Sequence, residues 1–186
     1  MTMYAITLRQ PWAHAVAHFG KNVENRTRRP PAHLIGQRVA IHAGQTASEM
    51  ALAPLYWAPH LPHLLPLREF ALAHPKDVPN AGRIIATARL VCAVGQCDLA
   101  MEQMKLNPWF TGPIGWVLAD VRPLAVPVGA DPCVVCQARI DDPAGRDGHA
   151  SNCRGYGEQP IPGKLYPFAL SPEVEAAVLQ QEASNA

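Results

Sequence analysis

Apolar positions near the start of the chain change period twice. Tyr4-Ala-Ile-Thr-Leu8 alternates, which predicts a short strand. Trp12, Ala15, Val16 and Phe19 then recur at helical spacing and give one apolar stripe. Pro11 suits the first helical position, where its missing N–H would have no partner, and Gly20 suits the place just past the last turn. Val39, Ile41 and Ala43 return to alternation around Ala40 and His42, predicting a half-buried strand. Between helix and strand, Gly20 to Arg26 reads as a charged loop.

Further along, Pro54 to Pro79 is broken by prolines and reads as an irregular excursion with one short helix around Leu64 to Ala73. Arg83 to Val94 predicts a buried strand, Asp98 to Leu106 a helix, Gly115 to Leu124 another strand and Lys164 to Leu170 the last. Ser171-Pro-Glu is a helix start, a cap followed by proline and an acid, with Val174, Val178 and Leu179 to bury. Short strands, few helices and long connections predict an α+β protein built on a small mixed β-barrel rather than a doubly wound sheet. No glycine-rich phosphate loop and no internal repeat is present.

Length and charge narrow the function. The 186 residues, 48% of them hydrophobic, suffice for one domain with a sizeable core and a small appendage. A net charge of +1 argues against a general polyanion binder, so any nucleic-acid contact must come from a local patch. No apolar run reaches the roughly 20 residues of a membrane helix. The first residues lead straight into a strand without a signal-peptide pattern, so a cytoplasmic location is expected, with cysteines as thiols or metal ligands.

Only 17% of residues are charged, yet Lys21, Glu24, Arg26, Arg28 and Arg29 crowd one bend. One reading is a solvated charged loop. The other is a polar pocket in which Lys21 offers a point charge, Glu24 orients it or accepts from a base amino group, and Arg26 offers a planar fork for phosphate. Gln10 and Trp12, at the head of the same helix, would add an amide and a stacking face, although Trp12 also belongs to the apolar stripe. In Asn107-Pro-Trp-Phe-Thr-Gly-Pro-Ile-Gly-Trp116, Trp109 reads as a loop stacking wall for a base and Trp116 as strand core. His14 and His18, off the stripe and lacking a third ligand, read as a solvated helix face; His42 points into a cleft or outward.

Cys133, Cys136, His149 and Cys153 form C-x2-C-x12-H-x3-C, two pairs able to complete a tetrahedron around zinc. The residues between are turn-formers such as Asp141-Asp-Pro and Gly145-Arg-Asp-Gly, which make no core of their own. A zinc staple would supply the missing stability, and four protein ligands make its role structural. The alternative is unlinked thiols and a solvated histidine. Cys92 and Cys97 lie by a strand and read as inert.

Taken together, several blocks resemble the ASCH domain of the PUA-like group: Leu8-Arg-Gln-Pro-Trp-Ala13, Gly20-Lys-Asn-Val-Glu-Asn-Arg-Thr27, Val39-Ala-Ile-His-Ala43, Trp109 to Leu118 and Pro162 to Leu170. The resemblance implies a small PUA-like β-barrel flanked by helices over residues 1–130 and 158–186; the cysteine segment at 131–157 departs from the family's pattern and reads as a zinc-finger-like insertion before the last strand. It also implies binding of RNA or a modified nucleotide in a cleft walled by Lys21, Glu24 and Arg26; the reading of the residues themselves adds Gln10, Trp12, Arg28 and Trp109 around it. Some members of the family are hydrolases of N-acylated cytidine and others are linked to RNA cleavage, so Lys21 and Glu24 become catalytic candidates. In the amidohydrolase type a threonine stands where this chain has Glu24. A further alternative is a protein-interaction module with the finger as its contact surface.

Overall fold

The structure, a computed structural model, describes residues 2–44, 62–74, 79–95, 98–129 and 167–184. The two alternating segments pair as parallel neighbours: β1 (Tyr4–Leu8) sets Tyr4 opposite Val39 and Leu8 opposite Ala43 of a strand at Arg38–Ala43. Parallel neighbours require a crossover, and α1 (Trp12–His18) lies within it. Ala13, Val16 and Ala17 of α1 pack onto Ile6, Leu8, Val39 and Ile41, the main core cluster. Pro11 takes the cap position itself rather than the first turn. Gly20 sits beyond the helix at φ 69°, a left-handed conformation that glycine adopts without strain. The reversal there lets the Lys21 N–H reach back to the Ala15 carbonyl at 3.1 Å.

The segment expected as a charged loop is a strand. β2 (Val23–Arg26) runs antiparallel to a long strand at Ile114–Gly129, with Glu24 opposite Trp116 and Asn25 opposite Gly115. One apolar residue in four leaves no alternation to read, and the pairing is supplied from more than 80 positions away. Arg38–Ala43 is β3, and α2 (Leu65–Ala73) follows a single 3-10 turn at Pro62–Leu64, matching the expected helix. β4 (Arg83–Gly95) and β5 (Ile114–Gly129) form the longest antiparallel pair, on either side of a short α3 (Met101–Lys105).

β6 (Phe168–Ala169) pairs antiparallel with β1, and α4 (Pro172–Ser184) closes the described chain. The Ser171 hydroxyl accepts from the Val174 N–H at 3.4 Å, as its place before the helix predicts. Val174 and Val178 are buried, but Leu179 is not. The inward position one turn beyond Val178 is Glu182, whose carboxylate meets Arg38 at 3.1 Å and accepts from the Thr87 hydroxyl.

The sheet order is β2-β5-β4-β3-β1-β6. The protein is therefore a mixed α+β fold, but the closed barrel is not what the described strands form: the sheet is open, with β2 and the two-residue β6 at its ends. It curls enough for Arg26 on β2 to donate to the Thr7 carbonyl on β1 at 2.8 Å. A side chain spans the gap where, among the described residues, no ladder does. The insertion expected at 131–157 lies outside the described residues. Among those described, no helix is long and apolar enough to cross a membrane.

Candidate functional site: a buried lysine, glutamate and arginine beside the edge strand

Glu24 and Arg26 are two apart on β2 and so share a face, the one that carries Trp116 across the ladder. The turn at Gly20 brings Lys21 onto the same carboxylate. Lys21 Nζ lies 3.1 Å from Glu24 Oε2, and Arg26 Nε lies 3.2 Å from Glu24 Oε1. Lys21 is only 2% exposed and Arg26 only 8%. Lys21 also donates to the Val23 carbonyl. The Arg26 guanidinium stands 5.2 Å from the centroid of the Trp116 indole, whose Nε1 donates to the Arg28 carbonyl at 2.8 Å. Sequence crowding at this bend thus becomes two buried cations flanking one carboxylate.

Burial decides the electrostatics. It pushes the Lys21 ammonium below its usual range; the charge and hydrogen bond of Glu24 oppose the shift, and Arg26 adds to it. Arg26 is lowered first by burial, against Glu24, with further help from Arg9. Arg9 is exposed and follows β1 directly; nothing in its spacing singled it out. On the other side of β1, the buried Thr7 hydroxyl and His42 Nδ1 are 3.1 Å apart, and the His42 ring meets the edge of Phe168 at 5.7 Å. His42 therefore turns inward to packed protein.

The remaining candidates divide. Gln10 is fully buried, and its amide is engaged with backbone: Oε1 accepts from the His14 N–H at 3.3 Å and Nε2 donates to the Pro79 carbonyl at 3.4 Å. Trp12 is half-buried against Ala15, Val23 and Leu67, and Arg28 is exposed. Trp109, expected as an open stacking wall, is 7% exposed among Val23, Leu64, Leu67 and Ala71. Its loop is folded down by Asn25, which donates to the Trp109 carbonyl at 2.8 Å and accepts from the N–H groups of Thr111 and Gly112. Asn22 adds a bond to Asn107 at 2.9 Å. These two asparagines position the loop, and only a strand reading of 23–26 would have drawn attention to them.

His14 is not the solvated side chain expected, because α2 docks on that face of α1. The His14 ring stacks on Phe70 at 3.7 Å and lies 4.4 Å from His18. Burial, then the charges of His18 and His74, lower His14 to about 4. In the unfolded chain it titrates near 6.5, so between those values the unfolded chain binds a proton that the folded one refuses. Stability is complete above pH 6.5 and falls as the pH drops towards 4. Discounted for half-exposure, the loss is about 1–2 kcal/mol. Urea midpoints at neutral and acid pH are expected to show it, and His14→Phe to flatten the slope; an unchanged slope in that variant contradicts the assignment.

Among the described residues no group of three or more histidine, cysteine or acidic side chains could hold a metal ion. The expected zinc ligands Cys133, Cys136, His149 and Cys153 lie outside them, as does Cys97; Cys92 is a half-exposed free thiol.

No family model matches the chain, and no curated protein matches it. Among solved structures it is similar to the crystal structure of ASCH from Zymomonas mobilis, with a TM-score of 0.46 and 15% identity, over 96% of this chain and 94% of that one.

Proposed function

We propose that the protein binds RNA or a nucleotide, with Lys21, Glu24 and Arg26 as the polar floor of the site and Trp12 and Arg28 at its rim. The observation that carries this reading is the withdrawal from water of two cations on either side of a single carboxylate. Taking such charges out of water is costly even when they are paired. A base edge and phosphate offset that cost: Glu24 accepts from an amino group, while the cations meet carbonyl and phosphate oxygens. Binding to single strands is then expected to weaken with salt, by roughly 0.7 logarithmic units per logarithm of salt for each phosphate contact. Gel-shift and fluorescence titrations at low salt test this, and no binding to RNA, DNA or nucleosides removes the reading.

One observation favours a second reading, a hydrolase acting at the same site. Burial outweighs Glu24 in lowering Lys21, which raises the share of neutral amine available as a general base. Turnover of N4-acylcytidine or RNA by pure protein, lost in Lys21→Met, distinguishes catalysis from recognition alone. A structural zinc on Cys133, Cys136, His149 and Cys153 is part of the same proposal. Native mass spectrometry of protein purified from cells reads metal and co-purified nucleotide in one spectrum.

A further inference from the structure

Among the described residues, no hydrogen bond or ion pair joins the stretch from Pro62 to His74 to the rest of the fold; His74 Nδ1 lies 2.9 Å from the Phe70 carbonyl oxygen of its own helix. α4 is held differently, for Gln181 pairs with both backbone groups of Val126 at 2.9 Å and 2.7 Å, and Glu182 pairs with Arg38. What docks α2 is apolar: Leu64, Leu67 and Ala71 pack on Ala15, Val23 and Trp109, and the His63 ring meets the Trp109 indole edge-on at 5.0 Å. Three polar nitrogens, His14 Nδ1, His63 Nε2 and Arg68 Nε, are buried without a hydrogen-bond partner among the described residues. Each is a standing cost that water would remove. A row of rings crosses the joint. His18 and His14 on α1 are 4.4 Å apart, His14 stacks on Phe70 of α2 at 3.7 Å, and His74 lies 4.8 Å beyond Phe70. Neutral, these rings pack as apolar groups; protonated, three imidazoliums repel one another across the seam. The charges that act on His14 are those of His18 and His74. Arg68 and Glu69 of α2 form no ion pair among the described residues. The Trp109 loop, Asn107 to Pro113, carries no titratable group; Glu102 and Lys105 on α3 pair with each other at 2.6 Å, and Glu24 on β2 is taken up by Lys21 and Arg26.

We propose that α2 is an acid-released lid: protonation of the His14, His18 and His74 cluster frees it from α1 while the sheet stays folded, and its departure bares Trp109. Docked, α2 holds His14 at about 4, through burial first and then the charges of His18 and His74, and burial lowers His18 as well. With α2 away, His14 returns towards its ordinary value near 6.5, so the open form binds a proton that the closed form refuses. Closure is fully favoured above about pH 6.5, and opening grows as the pH falls towards 4. Acid therefore exchanges the surface of α2 for an apolar one built on the Trp109 indole, with half-buried Trp12 beside it. The lid stands apart from the nucleotide-binding reading and needs no ligand.

The test is amide hydrogen exchange of the full chain without ligand, at about pH 7.5 and about pH 5, corrected for the intrinsic pH dependence of exchange so that it reads the opening equilibrium. The proteins are wild type, His14→Phe, the double variant His18→Gln/His74→Gln and, as a histidine outside the cluster, His33→Gln. In wild type the opening constant of α2 is expected to rise about tenfold between the two pH values, after discounting for the half-exposure of His14, while β1, β3 and β4 keep their protection. Tryptophan emission should move to the red over the same range. His14→Phe keeps a ring on Phe70 but takes up no proton, so its opening constant should stay nearly constant with pH. The double variant should retain only part of the rise, and His33→Gln all of it. Loss of protection in α2 and the sheet together would show global unfolding and overturn the lid. An opening constant of α2 that does not change in wild type overturns it too, as does an undiminished rise in either cluster variant.

Discussion

Glu24→Ala is expected to destabilise the protein by about 3–5 kcal/mol, the usual effect of removing one partner from buried ionic contacts. Lys21 and Arg26 would both lose the carboxylate that now lies 3.1 Å and 3.2 Å from them. The loss has a pH signature. Lys21 is already lowered by burial, and without Glu24, which raises it, the ammonium is less favoured still. A lysine lowered on folding takes up its proton more readily in the unfolded chain. The variant should therefore lose further stability as the pH falls, and recover part of it as the pH rises towards the ordinary lysine range. Adding Lys21→Met to Glu24→Ala removes one stranded cation and should restore part of the stability, a coupling that a double-mutant cycle reads directly. Urea unfolding across pH is the measurement. A loss below about 1 kcal/mol, flat with pH, would mean that water solvates all three groups as it does surface ion pairs.

The elements legible in the sequence were those whose period is long enough to count. β1, α1, β3 and β4 follow their apolar spacing closely, and α2 sits where the proline-rich stretch allows a helix. β2 was hidden because only Val23 of its four residues is apolar and its partner lies far along the chain. Missing that strand concealed two facts about the site. Glu24 and Arg26 share a face only because residues two apart on a strand do so. Asn25, pointing the other way, holds the Trp109 loop down, so an indole flanked by proline and glycine becomes core instead of an open stacking wall. His14 was misread for a related reason: periodicity reports the stripe facing the sheet and says nothing of a second helix laid over the opposite side. Arg9 falls within the Leu8 to Ala13 block, but one exposed arginine after a strand is ordinary and nothing in its spacing gave it a role.

Gly115→Ala is expected to destabilise the protein by about 1–3 kcal/mol through overpacking and to weaken ligand binding beyond what that loss of stability explains. Gly115 lies on β5 directly opposite Asn25. A Cβ there would stand 2.9 Å from Val23 Cγ1, closer than real Cβ contacts come, and 3.0 Å from the Phe110 ring, tighter than most of them. Val23 is fully buried and β-branched, so it has few rotamers to retreat into. Phe110 belongs to the loop that Asn25 ties down, so the added methyl pushes β2 and that loop apart. Glu24 and Arg26 move with β2, and Arg26 must keep its reach to Thr7 across the open side of the sheet. Asn25→Ala separates the two effects: it releases the loop without pushing on Val23, and should lower the melting temperature while disturbing the ligand contacts less. Thermal unfolding and nucleotide titration of both variants decide the matter. A Gly115→Ala protein that melts and binds like wild type would mean that β2 yields freely, and that the spacing of Lys21, Glu24 and Arg26 is set by the turn at Gly20 rather than by the face of β5.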